Sequence, residues 1–162
     1  MLGKLINSRD DVQAGVMFNT EGNGMGVTLF NDRSDAIVKG EPVLIGYDVD
    51  GNDGLIEGMQ CLDIATNSFV IYTAVAMEAV AVDAIGYFQI SGVCTYALVD
   101  GTSADVVAGD FLEVINAGTA LIYAGTARTL GSCAIALASQ AANSEVATSC
   151  YLFGEPHTIE SS

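Results

Sequence analysis

The chain is poor in the residues most chemistry relies on. It has no Trp, one His, two Pro and five Lys plus Arg among 162 residues. The lone His157 stands beside Pro156 near the end of the sequence. A serine or cysteine nucleophile needs a base within hydrogen-bond reach, and one tail histidine is a poor source of one. No G-x-S-x-G elbow and no G-x-x-x-x-G-K phosphate loop is present. The glycine-rich run Gly22-Asn23-Gly24-Met25-Gly26 lacks the lysine and the strand–helix context of a phosphate cradle. Arg128 is the only base after residue 40. Carboxylate pairs could be drawn from Asp100, Asp105, Asp110 and Glu113, but positive charge for an oxyanion is nearly absent. The expectation is a protein that is not an enzyme and carries no cofactor.

Long apolar runs are missing too. The most apolar stretch, 69–88, is interrupted by Glu78 and Asp83, so no membrane-spanning helix is expected. The first nine residues show no apolar core and no small-residue cleavage site, so no signal peptide is expected there. The four cysteines (Cys61, Cys94, Cys133, Cys150) form no CxxC pair. Zinc sites draw on close ligand pairs, so these thiols are expected to be reduced, buried small hydrophobes.

What is abundant is acid. Twenty Asp plus Glu give a formal charge of −15, which disfavours nucleic acid and anionic membranes as partners. It also blunts edge-to-edge pairing of a β-protein; salt adaptation would leave the same signature. The distribution is uneven: residues 1–40 hold Lys4, Arg9, Arg33 and Lys39 against five acids, and the remainder holds Arg128 against fifteen. The N-terminal quarter is therefore the part that can approach another acidic surface at least cost.

Short apolar segments separated by Gly, Asn and Asp turns predict an all-β fold, a single small β-barrel or β-sandwich. Its expected centre is a meander over 84–125. There Tyr87–Ile90 and Val93–Val99 are divided by Ser91-Gly92, and Asp100-Gly101 makes a tight hairpin turn. Pro42 suits the first residue of a strand. Strands are also expected at 36–38, 42–47, 55–64, 69–77, 111–115, 121–123 and 146–153. The Ala-rich segment 133–138 fits helix by propensity and strand by position. Residues 1–35 read as an extended arm with one or two strands, at the apolar pieces Val16-Met17-Phe18 and Val27-Thr28-Leu29-Phe30, 36–155 as the domain and 156–162 as a tail. Asp48, Asp50 and Asn52 occupy the first, third and fifth places of a calcium loop. Asp53 stands where the loop needs glycine and Met59 where it needs glutamate. A solvated turn is the stronger reading and a weak surface calcium site the alternative. One internal echo stands out. Val38-Lys39-Gly40-Glu41-Pro42-Val43 and Val107-Ala108-Gly109-Asp110-Phe111-Leu112 share a Gly–acid turn that feeds a strand. No other part of the sequence aligns well enough to establish a repeat.

These two segments, with Ile85-Gly86-Tyr87-Phe88-Gln89-Ile90-Ser91-Gly92-Val93, Gly131 before the Ala-rich segment and a terminal apolar strand, carry a resemblance. Over about residues 36–153 the chain resembles the small head decoration (cement) proteins of tailed bacteriophages. The resemblance implies an all-β module, often a homotrimer, on the outer capsid surface of the virion. It would clamp neighbouring copies of the major capsid protein, with no catalytic residue. Lys4, Arg9, Arg33 and Lys39 are then the candidate contacts to an acidic capsid. Another structural or adhesive β-module (a fibre base or a surface-layer component) is the alternative. A small-ligand barrel fits less well, given so few aromatics.

Overall fold

A computed structural model describes residues 15–20, 24–47, 59–62, 72–102, 104–115, 118–141 and 145–156. Among them the fold is all-β, with strands β1 (Met17–Thr20), β2 (Gly24–Asn31), β3 (Pro42–Tyr47), β4 (Met59–Leu62) and β5 (Thr73–Ala76). The second half contributes β6 (Ile85–Asp100), β7 (Phe111–Glu113), β8 (Leu121–Gly125), β9 (Ser132–Ala136) and β10 (Glu145–Phe153).

The ten strands form one hydrogen-bonded sheet that closes on itself twice. In the first ring β2 pairs with β4, β4 with β3, β3 with β5, β5 with β6, and β6 returns to β2. In the second, β6 pairs with β8, β8 with β7, β7 with β9, β9 with β10, and β10 returns to β6. Within each ring closure removes sheet edges, which suits a Gly/Ala/Val-rich chain; β1 lies outside the rings, paired with β2. Each ring has its own core. Val27, Leu29, Val43, Ala74, Ala76 and Phe88 fill barrel 1. Cys94, Ala97, Val99, Leu112, Leu121, Ala134, Cys150 and Leu152 belong to barrel 2.

The two barrels are copies of one pattern. Ile37 bridges Val80 as Val106 bridges Gln140. Gly40 N–H donates to Ala76 O at 2.8 Å, and Gly109 N–H to Ala136 O at 2.8 Å. The carboxylate of Glu41 accepts the Val38 N–H at 3.0 Å, and that of Asp110 the Val107 N–H at 2.8 Å. Ala76 N–H returns to Glu41 O, and Ala136 N–H to Asp110 O. Each barrel also contains one parallel pair, β2 with β4 and β6 with β8. The echo between 38–43 and 107–112 is thus the visible part of a structural duplication, a finding beyond the sequence reading.

The shared element is β6. Its first half closes barrel 1 and its second half opens barrel 2. The expected turn at Ser91-Gly92 is instead a bend inside one 16-residue strand, with Gly92 at φ 89. Asp100-Gly101 is not a hairpin turn either. Both sides of β6 at this end are already occupied, by β10 and by β8. The chain therefore leaves to make the Val106–Gln140 bridge before β7. Asp100 instead caps its own turn, accepting from the Thr102 N–H at 2.8 Å and hydroxyl at 2.9 Å.

Two further expectations are corrected. Residues 24–31 are not arm. β2 is a wall of barrel 1, and Val27 and Leu29 are fully buried. The domain 36–155 is not one barrel or sandwich but most of two fused barrels. The Ala-rich segment resolves to strand, because its alternate residues Ala134 and Ala136 face the core of barrel 2. Pro42 begins β3, and all four cysteines are free and buried.

Candidate interaction surface

Alternation along the strands separates inside from outside. In barrel 1, Val43, Ala74, Ala76, Phe88 and Val27 point into the core. The residues between them form an outward row, paired directly across four strands: Pro42 with Val75, Val75 with Gln89, and Gln89 with Gly26. In barrel 2 the matching row is Phe111 with Ile135, Ile135 with Tyr151, and Tyr151 with Val93.

The two rows sit in opposite environments. The barrel 1 row is covered: Val75 is 0% exposed, Gln89 2%, and Pro42 and Gly26 are buried. Barrel 2 covers it, except that Phe18 of β1 lies over Gly26. Val75 and Leu44, both on the outside of barrel 1, belong to the apolar cluster of barrel 2. Thr73 reaches the Cys133 thiol, and the Tyr96 hydroxyl donates to Gln89 Oε1 at 2.7 Å across the bend of β6. The Gly40 turn lies against β6, where Leu98 N–H donates to Gly40 O at 2.8 Å. A Cβ on Gly40 would stand 2.2 Å from Tyr96 O.

The barrel 2 row is open. Tyr151 is 44% exposed and Val93 41%, with Phe111 and Ile135 half-buried beside them. Gly109, the counterpart of Gly40, is exposed, and a Cβ there would meet nothing within 4 Å. Phe153 extends the surface, with its ring centroid 6.1 Å from Phe111 and 6.5 Å from Tyr151. Arg128 lies over Phe153 at 4.5 Å and pairs with Glu155 at the rim. An exposed apolar face ringed by polar groups marks an interaction site.

The predicted contact residues are dispersed. Arg33 is turned inward. Its guanidinium bonds Glu41 at 2.6 Å and Asp35 at 3.2 Å, and its side chain is 10% exposed. It holds the Gly–acid turn of barrel 1, an internal task that charge counting alone does not reveal. Lys39 is exposed, with its ammonium 5.1 Å from the Tyr96 ring centroid. Lys4 and Arg9 lie outside the described residues, as do Asp48, Asp50, Asn52 and His157. Among the described residues no three His, Cys, Asp or Glu side chains are placed to hold a metal. Of the carboxylates weighed above, Asp100 and Asp110 each accept a backbone N–H in their own turns.

The thiols are shielded. Burial pushes Cys133 up to about 12 and raises Cys61 further. Cys94 and Cys150 are direct cross-strand partners. Contact with Cys94, then burial, raises the Cys150 thiol. Reactive cysteines are exposed and electropositive, whereas all four of these are buried.

No family model matches the chain, and no curated protein matches it. Among solved structures, the head fiber gp8.5 N base in bacteriophage phi29 is similar, with a TM-score of 0.49 and 10% identity, covering 81% of this chain and 95% of that chain. Likeness at that level carries no argument about function.

Proposed function

We propose that this protein is a structural virion component that decorates the outer surface of an icosahedral phage capsid and stabilises it by bridging neighbouring major capsid subunits. The observation that carries the reading is the double use of the Gly–acid turn. The segments on which the resemblance to decoration proteins rests, 38–43 and 107–112, knot each barrel shut through matched hydrogen bonds. Their acids accept backbone N–H groups within the turns, a structural task. A body with two closed barrels and one shared strand is suited to bearing load between neighbours. The acidic outer surface keeps it off the packaged DNA and off anionic cell surfaces. The exposed Lys39, together with Lys4 and Arg9, is the candidate cationic contact to an acidic capsid, and a homotrimer is the expected form on it. The test is mechanical. Heads carrying the protein should release DNA at a higher temperature than heads lacking it, and adding back purified protein should restore the difference. Equal release temperatures, with the protein bound, would remove the stabilising role.

A further inference from the structure

Cys94 and Cys150 face each other where barrel 2 closes. β6 is the first strand of that barrel and β10 the last, and Cys94 is the register partner of Cys150. Both are fully buried in the core of barrel 2. Directly opposite residues of an antiparallel pair have Cα atoms about 4.5 or 5.5 Å apart. Both spacings fall within the range of about 4.4–6.8 Å that a disulfide spans. The other two thiols have no such partner. Cys61 belongs to barrel 1, opposite Ile45 and Asn31, and the Cys133 thiol lies against the Leu112 carbonyl. We infer that Cys94 and Cys150 are a latent cross-strand disulfide, reduced in this fold and closed by a disulfide oxidant such as oxidised glutathione, which seals the seam of barrel 2.

The duplication supplies a comparison inside the molecule. In the outward rows Val93 matches Gly26 and Tyr151 matches Gln89, so the neighbouring inward positions match as well, Cys94 with Val27 and Cys150 with Phe88. Val27 and Phe88 are direct partners at the closing seam of barrel 1. Hydrocarbon fills that rung there. In barrel 2 both strands carry a thiol on the same rung, which packing alone does not require. The pair is also asymmetric. The Cys150 S–H donates to the Cys94 sulfur, which lowers the Cys94 thiol and raises that of Cys150. Cys94 is therefore the attacking sulfur. Its thiolate attacks one sulfur of oxidised glutathione, forming a mixed disulfide and releasing one glutathione thiolate. The Cys150 thiolate then attacks the Cys94 sulfur, and the second glutathione thiolate leaves. The two cysteine protons end on the two glutathione thiols, so one disulfide is formed and one is reduced.

The rung beside the pair is irregular. Between Thr148 and Cys150 the register shifts, so that Thr95 and Tyr96 of β6 face Ser149 alone. A bulge leaves the ladder locally incomplete, and Thr95 and Ser149 line an open surface groove. The intact fold shields both sulfurs, and the oxidant meets them during folding or when β10 opens at this bulge. The bond would enclose residues 95–149, and a long closed loop restricts the unfolded chain strongly. The inference does not depend on the capsid reading, because it is tested on the isolated chain.

Fully reduced protein is unfolded in guanidinium, refolded in a mixture of oxidised and reduced glutathione, alkylated and mapped by mass spectrometry of its peptides. The expected product has lost two hydrogens, links the Cys94 peptide to the Cys150 peptide, and carries alkylated Cys61 and Cys133. Its urea midpoint should lie higher than that of the reduced protein by about one molar or more, and dithiothreitol should remove the difference. Cys94→Ala and Cys150→Ala should each show the same midpoint with and without dithiothreitol. If either variant fails to fold, the wild-type peptide map decides alone. Four alkylated thiols after oxidative refolding would overturn the proposal, as would a bond that uses Cys61 or Cys133 or joins two chains. A 94–150 bond that leaves the midpoint unchanged or lower would overturn its role as a seal.

Discussion

Gly40 and Gly109 offer a controlled comparison inside one molecule. They occupy the same turn, with φ of +90 and +102. Each donates its N–H to the matching alanine carbonyl at 2.8 Å. They differ in what lies outside. Alanine at either site adopts a backbone conformation that costs an L-residue roughly 1–2 kcal/mol. At Gly109 the added methyl enters open space, so the cost should end there. At Gly40 it would lie 2.2 Å from Tyr96 O and 3.1 Å from a Leu98 side-chain carbon. The carbonyl belongs to a paired strand and cannot rotate away, so the junction between barrels must shift. Overpacking adds about 1–3 kcal/mol. Gly40→Ala is therefore expected to lose about 2–5 kcal/mol and Gly109→Ala about 1–2. Urea titrations followed by circular dichroism, at concentrations low enough to hold single chains, read the difference. With slopes of about 1–3 kcal/mol/M, Gly40→Ala should have the midpoint lower by several tenths of a molar or more. Equal midpoints would refute the claim that the two turns differ by docking. A lower midpoint for Gly109→Ala would refute the assignment of which turn is docked.

Other substitutions probe the same design. Glu41→Ala takes the Glu41 carboxylate from the buried Arg33 guanidinium and should cost about 3–5 kcal/mol; Asp110→Ala strands the Val107 N–H and should cost about 1–3 kcal/mol, so the order of urea midpoints checks the pairing. Raised thiol pKa values in the fold mean that the unfolded chain loses those protons first. Stability should be intact below about pH 8.5 and fall as pH rises towards about 12 for Cys133, by up to about 1.4 kcal/mol per pH unit per thiol. A flat profile between pH 8 and 10 in urea would contradict the burial of Cys61 and Cys133. Native protein should not react with a thiol reagent at pH 8, and all four cysteines should react in guanidinium. Truncation of residues 1–14 should leave both barrels folded, whereas truncation of 1–30 should unfold barrel 1 by removing Val27 and Leu29; thermal melts of the two proteins distinguish them.

The all-β class was legible because alternation and Gly-rich turns are local. So was one element of the duplication, because the Gly–acid turn has a side-chain requirement: a glycine for positive φ and a carboxylate to hold the N–H three residues earlier. The rest of the duplication left little trace. Val80 and Gln140 play the same part through backbone bonds alone, which constrain no side chain. A bulge opposite Thr148 and Cys150 shifts β6 by a residue relative to β2, which defeats simple alignment. Ser91-Gly92 and Asp100-Gly101 look like turns, and nothing local says that one bends a shared strand while the other meets filled edges. Arg33 read as a free cation because its partner Glu41 is recognisable only once the turn has formed. The open face was illegible in principle: Tyr151, Ile135, Phe111 and Val93 come from four strands and meet only through register.

The central functional claim is tested most directly by co-sedimentation of the purified protein with isolated phage heads, unexpanded and expanded. The account predicts saturable binding to expanded shells alone, at a fixed number of copies per shell. Binding to neither would contradict the capsid role while leaving the two-barrel fold in place.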